Sequence, residues 1–346
     1  MIRRRTAHLA GQLRSRGRYL VNRARNLRAG NLVEFAQQSR SVTRKPVPLI
    51  IADMLWCSVR YEMGFRDYAV WDVATLRGRE RATWMTHPKS NRITATYNDA
   101  AQRHRFEDKL VFYSDFADVI GRDWLDARTA TDDEVAAFVE RHGRVIVKPA
   151  GGHGGVGIDV IAYEDLDDPA MLRTTLVDEG RTLVEQLLVQ HPTLAAIYPG
   201  SVNTVRMITF LDPEDRLHIL AAVLRIGNGA AIDNFASGGM YTLLDEEGVA
   251  RYPGVDKSGG VHPVHPVTGT AIAGTRVPFY PEVLELLEDV ARRIPGTPYV
   301  GWDIAVTPEG PVLIEGNHNS SVFQTKPTVS GVKTGLLPVY RAAIGF

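Results

Sequence analysis

The sequence GWDIAVTPEGPVLIEGNHN, residues 301–319, predicts a β-hairpin with one polar face. The turn Thr-Pro-Glu-Gly at 307–310 suits a three-residue loop, with proline at the first corner and glycine at the residue of positive φ. Such a loop places Asp303 directly opposite Glu315. Asn317 follows on the same face, because side chains along a strand alternate with a period of two. Two carboxylates and an amide are therefore expected side by side.

The other face of this hairpin is apolar and is expected to pack on the core; it comprises Ile304, Val306, Val312 and Ile314. On the polar face, hard oxygen ligands suit Mg²⁺, which usually keeps several waters and bridges to substrate phosphates. We therefore predict a magnesium site formed by Asp303, Glu315 and Asn317. The alternative is a hairpin whose polar side chains face solvent. Motifs elsewhere in the chain help to distinguish this alternative from a magnesium site.

Length and composition indicate a water-soluble chain with a sizeable core. The 346 residues are 44% hydrophobic and 23% charged, which allows two or three subdomains. The one cysteine, Cys57, excludes an intrachain disulfide. We find no apolar run of transmembrane length and no secretory signal, so a cytoplasmic protein is expected.

The formal net charge of zero conceals a basic N-terminal arm. Residues 1–45 carry twelve Lys/Arg and one acid, so the remainder of the chain is equally acidic. Leucines near a seven-residue spacing predict one or two amphipathic helices here. We expect the arm to pack on the acidic body. The alternatives are docking on an anionic membrane surface, an acidic partner protein or a nucleic acid, although we expect no nucleic-acid partner.

Periodicity predicts a mixture of helices and antiparallel hairpins. Helices are expected over Leu49–Tyr61, from a Thr131 cap to about Arg141, and over Pro281–Ile294. Strands are expected at Arg144–Lys148, Ile158–Tyr163, Arg181–Leu188, Val202–Leu211 and Leu217–Ile226. The fold class is therefore α+β rather than a series of regular βαβ units.

A glycine-rich loop, KPAGGHGGVG, follows the strand that ends at Lys148. It contains a G-x-G-x-x-G pattern, but Gly157 leads into a strand, whereas a dinucleotide-binding loop opens a helix. A P-loop is excluded because no Gly-Lys-Ser/Thr ends the run. Glycine backbone N–H groups close on phosphate oxygens, and Lys148 adds a point charge, so we predict a phosphate-covering lid. The alternative is a flexible surface hairpin.

Several spaced motifs in a fixed order resemble the sugar-transfer-associated ATP-grasp family, over roughly residues 54–325. The motifs are MLWCSVRYEMGFRDY (Met54–Tyr68), EDKLVFYSDF (Glu107–Phe116), VKPAGGHGGVGI (147–158), VQHP (Val189–Pro192), SVNTVR (Ser201–Arg206), DNFASGG (Asp233–Gly239) and GWDIAV with LIEGN (301–306 and 313–317).

The resemblance implies an ATP-grasp fold, in which two α+β subdomains clamp ATP, preceded here by a mainly helical N-terminal region. The implied boundaries are a basic helical arm at 1–45, a helical region at 46–107, a lid subdomain at 108–199, and a core subdomain with the metal hairpin at 200–346. An α/β N-terminal domain of the usual ATP-grasp kind is not evident, so the substrate pocket is the least predictable part.

The resemblance also implies roles for individual residues. Lys109 and Lys148 would contact the nucleotide phosphates beneath the lid, and Glu185 with the Leu187 backbone would read the adenine edge. The other implied contacts are Gly152, Gly154 and Gly155 in the lid, Gln190 or His191 at the ribose, Arg206 at the γ-phosphate and acyl phosphate, Asn234 near the reacting phosphate, and Asp303, Glu315 and Asn317 on one or two Mg²⁺.

Three of these residues, Arg206, Asn234 and Lys148, are the candidate catalytic groups. A surface ion pair is the alternative for Arg206, and a solvated helix face is the alternative for Lys109. Asp233 beside Asn234 would bind metal or an amine substrate, or cap a turn.

The implied activity is an ATP- and Mg²⁺-dependent ligase that joins a small-molecule carboxylate to an amine through an acyl phosphate. The family name suggests a setting in glycoconjugate or natural-product biosynthesis. Two alternatives stay open at this stage: a phosphotransferase acting on a sugar-like hydroxyl with the same nucleotide site, and a non-catalytic nucleotide-binding module. The sequence indicates no oligomeric state.

Overall fold

The computed structural model describes residues 29–151, 157–229, 233, 235 and 238–345. This part of the chain forms two compact units. The helical unit comprises residues 29–96, 258–260 and 319–345, and the sheet unit comprises the described residues of 97–257 and 261–318. Residues 319–345 therefore group with the N-terminal helices, while the predicted boundaries at 107 and 199 stay predictions.

The helical unit follows the sequence expectation of helices before the sheets. Its helices are Ala29–Thr43, Val47–Tyr61, Phe65–Val70, Gly78–Arg81, most of His87–Tyr97, Pro327–Ser330 and Leu337–Ile344, with a 3₁₀ turn at Val73–Thr75. The second of these begins two residues before its predicted start, because proline is tolerated in a first helical turn. Most of the basic arm lies outside the described residues; the part within them forms Ala29–Thr43.

A four-stranded antiparallel sheet forms one part of the sheet unit. Its strands are β1 (Trp124–Asp126), β2 (Arg144–Lys148), β3 (Asp159–Ala162) and β4 (Leu183–Gln186), in the order β1-β4-β2-β3. Helices Asp132–His142 and Leu172–Asp178 supply apolar side chains to the core of this sheet. The first helix starts at the predicted capping box, in which Thr131 and Glu134 satisfy each other's backbone N–H groups.

A seven-stranded antiparallel sheet forms the other part. Its strands are β5 (Thr204–Leu211), β6 (Leu217–Ile226), β7 (Met240–Leu243), β8 (Gly254–Asp256), β9 (Val261–His262), β10 (Tyr299–Thr307) and β11 (Gly310–Asn317), in the order β11-β10-β5-β6-β7-β8-β9. The helices of this part are His104–Glu107, Lys109–Asp115, Pro192–Ala195 and Tyr280–Val290, with 3₁₀ turns at Ala100–Gln102, Tyr163–Asp165 and Pro169–Met171 elsewhere in the unit.

The predicted hairpin is present as β10 and β11, and Asp303 pairs with Glu315 as expected. The loop is shorter than predicted, since Thr307 pairs with Gly310 across a two-residue turn. A β-bulge between Asp303 and Ile304 restores the register, with Ile314 as the extra residue. The expected apolar face is corrected accordingly: Leu313, rather than Val312 or Ile314, lies in the core.

The described helices include none that is both long enough and apolar enough to cross a bilayer.

Candidate functional site

Three charged residues form a row across three neighbouring strands of the larger sheet. Asp303 on β10 pairs in register with Arg206 on β5 and with Glu315 on β11. The Arg206 guanidinium binds the Asp303 carboxylate through Nε–H···Oδ1 and through Nη2–H···Oδ2 at 2.5 Å. Arg206 and Asp303 are buried, whereas the Glu315 side chain keeps 43% of its exposure. Arg206 is therefore a buried group rather than part of a surface ion pair.

A second arginine, Arg225 on β6, extends this row. Its Nη1 donates to Asp303 Oδ2 at 3.0 Å, and its Nη2 lies 2.9 Å from Asp233 Oδ1. Asp233 in turn accepts a hydrogen bond from the Thr204 backbone N–H at 2.9 Å and another from the Thr204 hydroxyl. Asp233 thus orients Arg225 in this structure, and Arg225 is a site residue that the sequence analysis missed.

The two carboxyl groups of the hairpin differ in acidity. Burial opposes ionisation of Asp303, but Arg206 and Arg225 outweigh it and lower the pKa of Asp303 to about 2. The pKa of Glu315 is raised, because the surrounding protein removes water and the Asp303 carboxylate repels a second negative charge. A hydrogen bond joins the two side chains, and Glu315 is the weaker acid of the two.

The oxygen atoms of this hairpin fit a hard divalent cation. Asn317 Nδ2 donates to Glu315 Oε1 at 3.2 Å and to the Gly301 carbonyl at 3.3 Å, so the amide lies beside the carboxylates with its nitrogen toward Glu315 and must turn over to offer Oδ1 to a cation. Two carboxylates and an amide oxygen form the donor set that Mg²⁺ prefers. The described residues contain no cluster of three or more His, Cys, Asp or Glu suited to a metal, so an amide would have to supply the third ligand.

Lys148, at the end of β2, belongs to a buried network centred on Glu185 of β4. Lys148 Nζ lies 2.6 Å from Glu185 Oε1, while Arg122 Nε and Tyr113 Oη donate to Oε2 at 2.9 and 2.5 Å. Arg122 also donates to the Leu313 carbonyl of β11 at 3.0 Å. The network therefore joins the smaller sheet to the metal hairpin.

Electrostatics explain why Glu185 is ionised despite its burial. Burial opposes ionisation, but Lys148 and Arg122 outweigh it and lower the pKa of Glu185 to about 2. The same carboxylate raises the pKa of Lys148, against the effect of burial. Glu185 thus has three protein partners, Lys148, Arg122 and Tyr113, and its contact with the adenine edge stays a prediction.

Lys109 is subject to the electrostatic influence of both charged groups. It begins the helix Lys109–Asp115, and its backbone N–H donates to the Ala150 carbonyl, just before the glycine-rich loop, at 2.8 Å. Its pKa is lowered, first by burial and also by Lys148, although Glu315 and Glu185 act in the opposite direction. The charges of Glu315, Lys148 and Glu185 thus all act on Lys109, whose side chain is partly buried rather than fully solvated.

A cavity of about 770 Å³ adjoins these groups. Lys148, Glu185 and Asp233 contribute polar atoms to its wall, and Leu187 lies directly after β4 at its edge. Its apolar wall includes Ile146, Ile158, Val160, Leu187, Leu188 and Ile314. The bulge in β11 brings Ile314 to this wall. The aliphatic wall lies near two buried cationic side chains, Lys148 and Arg122. Such a cavity suits a ligand with a flat aromatic ring and phosphate groups.

Gln190 also lines the cavity, but its amide is engaged within the protein. Nε2 donates to the carbonyls of Tyr198 and Ser201 at 2.9 and 2.8 Å, and Oε1 accepts from the backbone and side chain of Asn203 at 3.0 and 2.9 Å. Both donors and both lone pairs are used. The predicted ribose contact is therefore weakened, because this amide already holds the 190–203 loop together.

The lid residues Gly152, Gly154 and Gly155 and the candidate catalytic Asn234 lie outside the described residues. Three residues that the sequence analysis did not assign complete the site: Tyr113, Arg122 and Arg225. Two of them could have been found from sequence features: Tyr113 lies inside the motif EDKLVFYSDF, and Arg225 is a charged residue in the apolar strand LHILAAVLRI. The pairing of Arg122 across 63 residues of sequence had no local signal.

Comparison with known proteins identifies the class. The model of the sugar-transfer associated ATP-grasp family matches residues 89–333, so the chain belongs to that family. Two glutathione synthetases of Neisseria meningitidis, from serogroups B and A, are each 27% identical over 143 residues. Those alignments span 41% of this chain and 40% of each relative, so the chain covers less than half of their length.

Solved structures give more distant likenesses. The ATP-grasp ligase PsnB, complexed with a minimal precursor variant, Mg and ADP, is 17% identical, with a TM-score of 0.43 over 77% of this chain and 68% of that one. D-alanyl-alanine synthetase A from Vibrio cholerae is 15% identical, with a TM-score of 0.38 over 66% of this chain and 60% of that one.

Proposed function

We propose that this protein is an ATP- and Mg²⁺-dependent ligase that forms an amide from a carboxylate and an amine through an acyl phosphate. The observation that carries the proposal is that Arg122 joins the buried Lys148–Glu185 pair to the β10–β11 hairpin, which carries Asp303, Glu315 and Asn317. The similarity to glutathione synthetases over 143 residues supports the same class of reaction. A cytoplasmic location stays part of the proposal.

The nucleotide occupies the 770 Å³ cavity in this proposal. Its adenine lies between the aliphatic side chains of β2, β3 and β11, with its edge at the Leu187 backbone. Lys148 and Lys109 bind the phosphates, and Glu185 positions Lys148. The glycines Gly152, Gly154 and Gly155 keep their predicted role as a phosphate cover.

Asp303, Glu315 and Asn317 would hold Mg²⁺, which would supply positive charge that neutralises the phosphates. Glu315 must be ionised for this role, and its side chain is partly exposed to solvent. Asp303 accepts two hydrogen bonds from Arg206 and one from Arg225, which leaves one of its four lone-pair positions for the metal. Arg206 then keeps its orientation while its guanidinium faces the transferred phosphoryl group.

Two balanced steps follow. A carboxylate oxygen attacks the γ-phosphorus of ATP, ADP leaves, and an acyl phosphate remains. The amine then attacks the acyl carbon, inorganic phosphate leaves, and the nitrogen loses a proton. Arg206, Lys148 and Lys109 stabilise the negative charge that moves between these groups, and Asn234 is the proposed neighbour of the reacting phosphate. The nucleophiles in both steps belong to the substrates, so the proposal requires no nucleophilic side chain of the protein.

The test is a screen for ADP release with carboxylates crossed against amines, with Glu315→Gln as the blank. Any active pair is then repeated with an ¹⁸O-labelled carboxylate. The proposal predicts ADP release that requires both substrates, together with transfer of one ¹⁸O atom to inorganic phosphate. ADP release without an amine and a stable phosphorylated alcohol would instead identify a phosphotransferase.

A further inference from the structure

The helix Val47–Tyr61 is apolar on two opposite faces. Its inner face is buried and includes Ile50, Met54 and Cys57. Its outer face is solvent-exposed and also apolar. The exposed fractions are 60% for Leu49, 40% for Leu55, 58% for Trp56 and 48% for Val59. With Ala52 these residues fall within an arc of about 120° on the helix surface, and we call them the outer stripe.

This stripe is unusual for a helix at a protein surface. Surface helices normally present charged and polar residues opposite their buried face. The helix Val47–Tyr61 contains only two charged residues, Asp53 and Arg60. The Asp53 carboxylate is occupied, since Arg81 donates to it at 2.6 and 2.7 Å and Tyr68 at 2.6 Å. The stripe therefore offers apolar surface without an available acidic group.

Exposed basic residues lie at both ends of this helix. Arg44 and Lys45 are exposed directly before the helix, and Arg60 is exposed in its last turn. Residues 1–28 contain nine arginines and no acidic residue. They lead directly into the helix Ala29–Thr43, which packs against Val47–Tyr61. We call Arg44, Lys45 and Arg60 the basic rim.

We infer that the outer stripe docks on an anionic phospholipid surface, with the basic rim against the lipid phosphates. Exposed tryptophan beside arginine and lysine is the composition that membrane interfaces favour. The helix has 15 residues, whereas a membrane-spanning helix needs about 20, so it would lie in the plane of the interface. The inference does not depend on the proposed ligase activity.

Charge argues against the other occupants of this surface. A second copy of the chain would bring two basic rims together, and like charges across an interface oppose association. Residues 1–28 could cover the stripe with their leucines, but their nine arginines carry the same sign as the rim. An anionic surface complements the stripe and the rim together.

The test is flotation of the full-length protein with vesicles of phosphatidylcholine, either alone or with about one third phosphatidylglycerol. We expect binding to the anionic vesicles only, and weaker binding as salt rises, because salt screens the rim. The double variant Leu49→Ser/Trp56→Ser should bind at least about tenfold more weakly, since it loses two apolar anchors. The matched control is Val267→Ser, which removes an equally exposed valine from the sheet unit.

A second measurement reports on Trp56 itself. Its emission should shift to the blue on anionic vesicles and be quenched by brominated lipid, and Trp56→Phe should lose this signal but retain binding. Far-UV circular dichroism of each variant checks that it is folded.

Three results would overturn the inference. One is a lack of binding to anionic vesicles. Another is binding that survives Leu49→Ser/Trp56→Ser but is lost when arginines of residues 1–28 are changed to glutamine. The third is a dimer in solution that the double variant dissociates, since a second copy would then cover the stripe.

Discussion

Glu185 and Glu315 show how neighbouring side chains set the state of a carboxyl group. The pKa of Glu185 is lowered to about 2, because two cations face it in the interior. The pKa of Glu315 is raised, because burial and Asp303 outweigh the effect of Arg206. The same substitution, glutamate to glutamine, should therefore have different consequences at the two positions.

Replacing Glu185 with glutamine should strongly destabilise the protein. The change leaves Lys148 and Arg122 buried without their counter-ion, and breaking a buried ion pair in this way costs about 3–5 kcal/mol. Urea unfolding at neutral pH measures the loss. The control is Glu214→Gln, whose side chain is 67% exposed, with an expected effect within about 0.5 kcal/mol. A Glu185→Gln variant as stable as this control would refute the account of the network.

Replacing Glu315 with glutamine should leave stability unchanged or slightly higher, since its surroundings and the Asp303 carboxylate disfavour a negative charge at this position. We nevertheless expect ATP turnover to fall by at least about a hundredfold, because the metal loses a charged ligand. Asn317→Ala is the companion variant and should lose activity in the same way. Activity of Glu315→Gln near that of the unchanged protein would remove Glu315 from the metal site.

Acid should destabilise the protein through Glu185 and Asp303. Each has a pKa lowered to about 2 in the folded state, from ordinary values of 4.5 and 3.8. Their contribution is fully present above those ordinary values and is lost as the pH falls toward about 2. Glu315 acts in the opposite sense, since its raised pKa favours folding as the pH falls. Urea unfolding from neutral pH to about pH 3 should show the net loss; constant stability over this range would contradict it.

At the scale of elements, the metal hairpin illustrates what a local pattern can predict. Alternation along both strands placed Asp303 opposite Glu315, and the structure confirms that pairing. The two-residue turn and the compensating bulge at Ile314 were not predictable from alternation alone, because a three-residue loop gives the same pairing at Asp303. The bulge matters for the site, since it directs Ile314 to the cavity wall while Leu313 stays in the core.

Gly121 precedes Arg122 and fixes the approach of this segment to the hairpin. Its φ is +59°, and a Cβ atom here would collide with the Val312 side chain. Gly121→Ala should therefore reduce the free energy of unfolding by about 2–4 kcal/mol, from backbone strain and steric overlap together. Gly180→Ala, with φ of +71° and open space around the site, isolates the strain and should cost about 1 kcal/mol.

The double variant Gly121→Ala/Val312→Ala separates the two effects by urea unfolding. It should lose less stability than the sum of the single changes, because the truncated side chain makes room for the new methyl group. Additive losses would show that Gly121 and Val312 are not coupled.

At the scale of the whole molecule, sequence reasoning was most successful where information is local. The strand Leu217–Ile226 has its predicted bounds, and Lys148 ends its strand as expected. The partners of Glu185 were not predictable, since Tyr113 lies 72 residues away in sequence and Arg122 lies 63 away. The grouping of residues 319–345 with the N-terminal helices depends on tertiary packing and likewise had no local signal.

Ligand binding should stabilise the protein as a whole. A ligand at about a hundred times its Kd adds about 2.7 kcal/mol, so the Tm should rise by several degrees with a non-hydrolysable ATP analogue and Mg²⁺. The rise should be smaller with the analogue and EDTA, and smaller in Glu315→Gln. An equal rise in Tm with and without Mg²⁺ would show that nucleotide binding does not depend on a metal at the β10–β11 hairpin.

The most direct test is a crystal structure of the full chain with Mg²⁺ and a non-hydrolysable ATP analogue. We predict adenine in the cavity at Leu187, phosphates on Lys148 and Lys109, and Mg²⁺ bound by Asp303, Glu315 and Asn317. A cavity without nucleotide at saturating ligand, or a metal held away from these three side chains, would contradict the account.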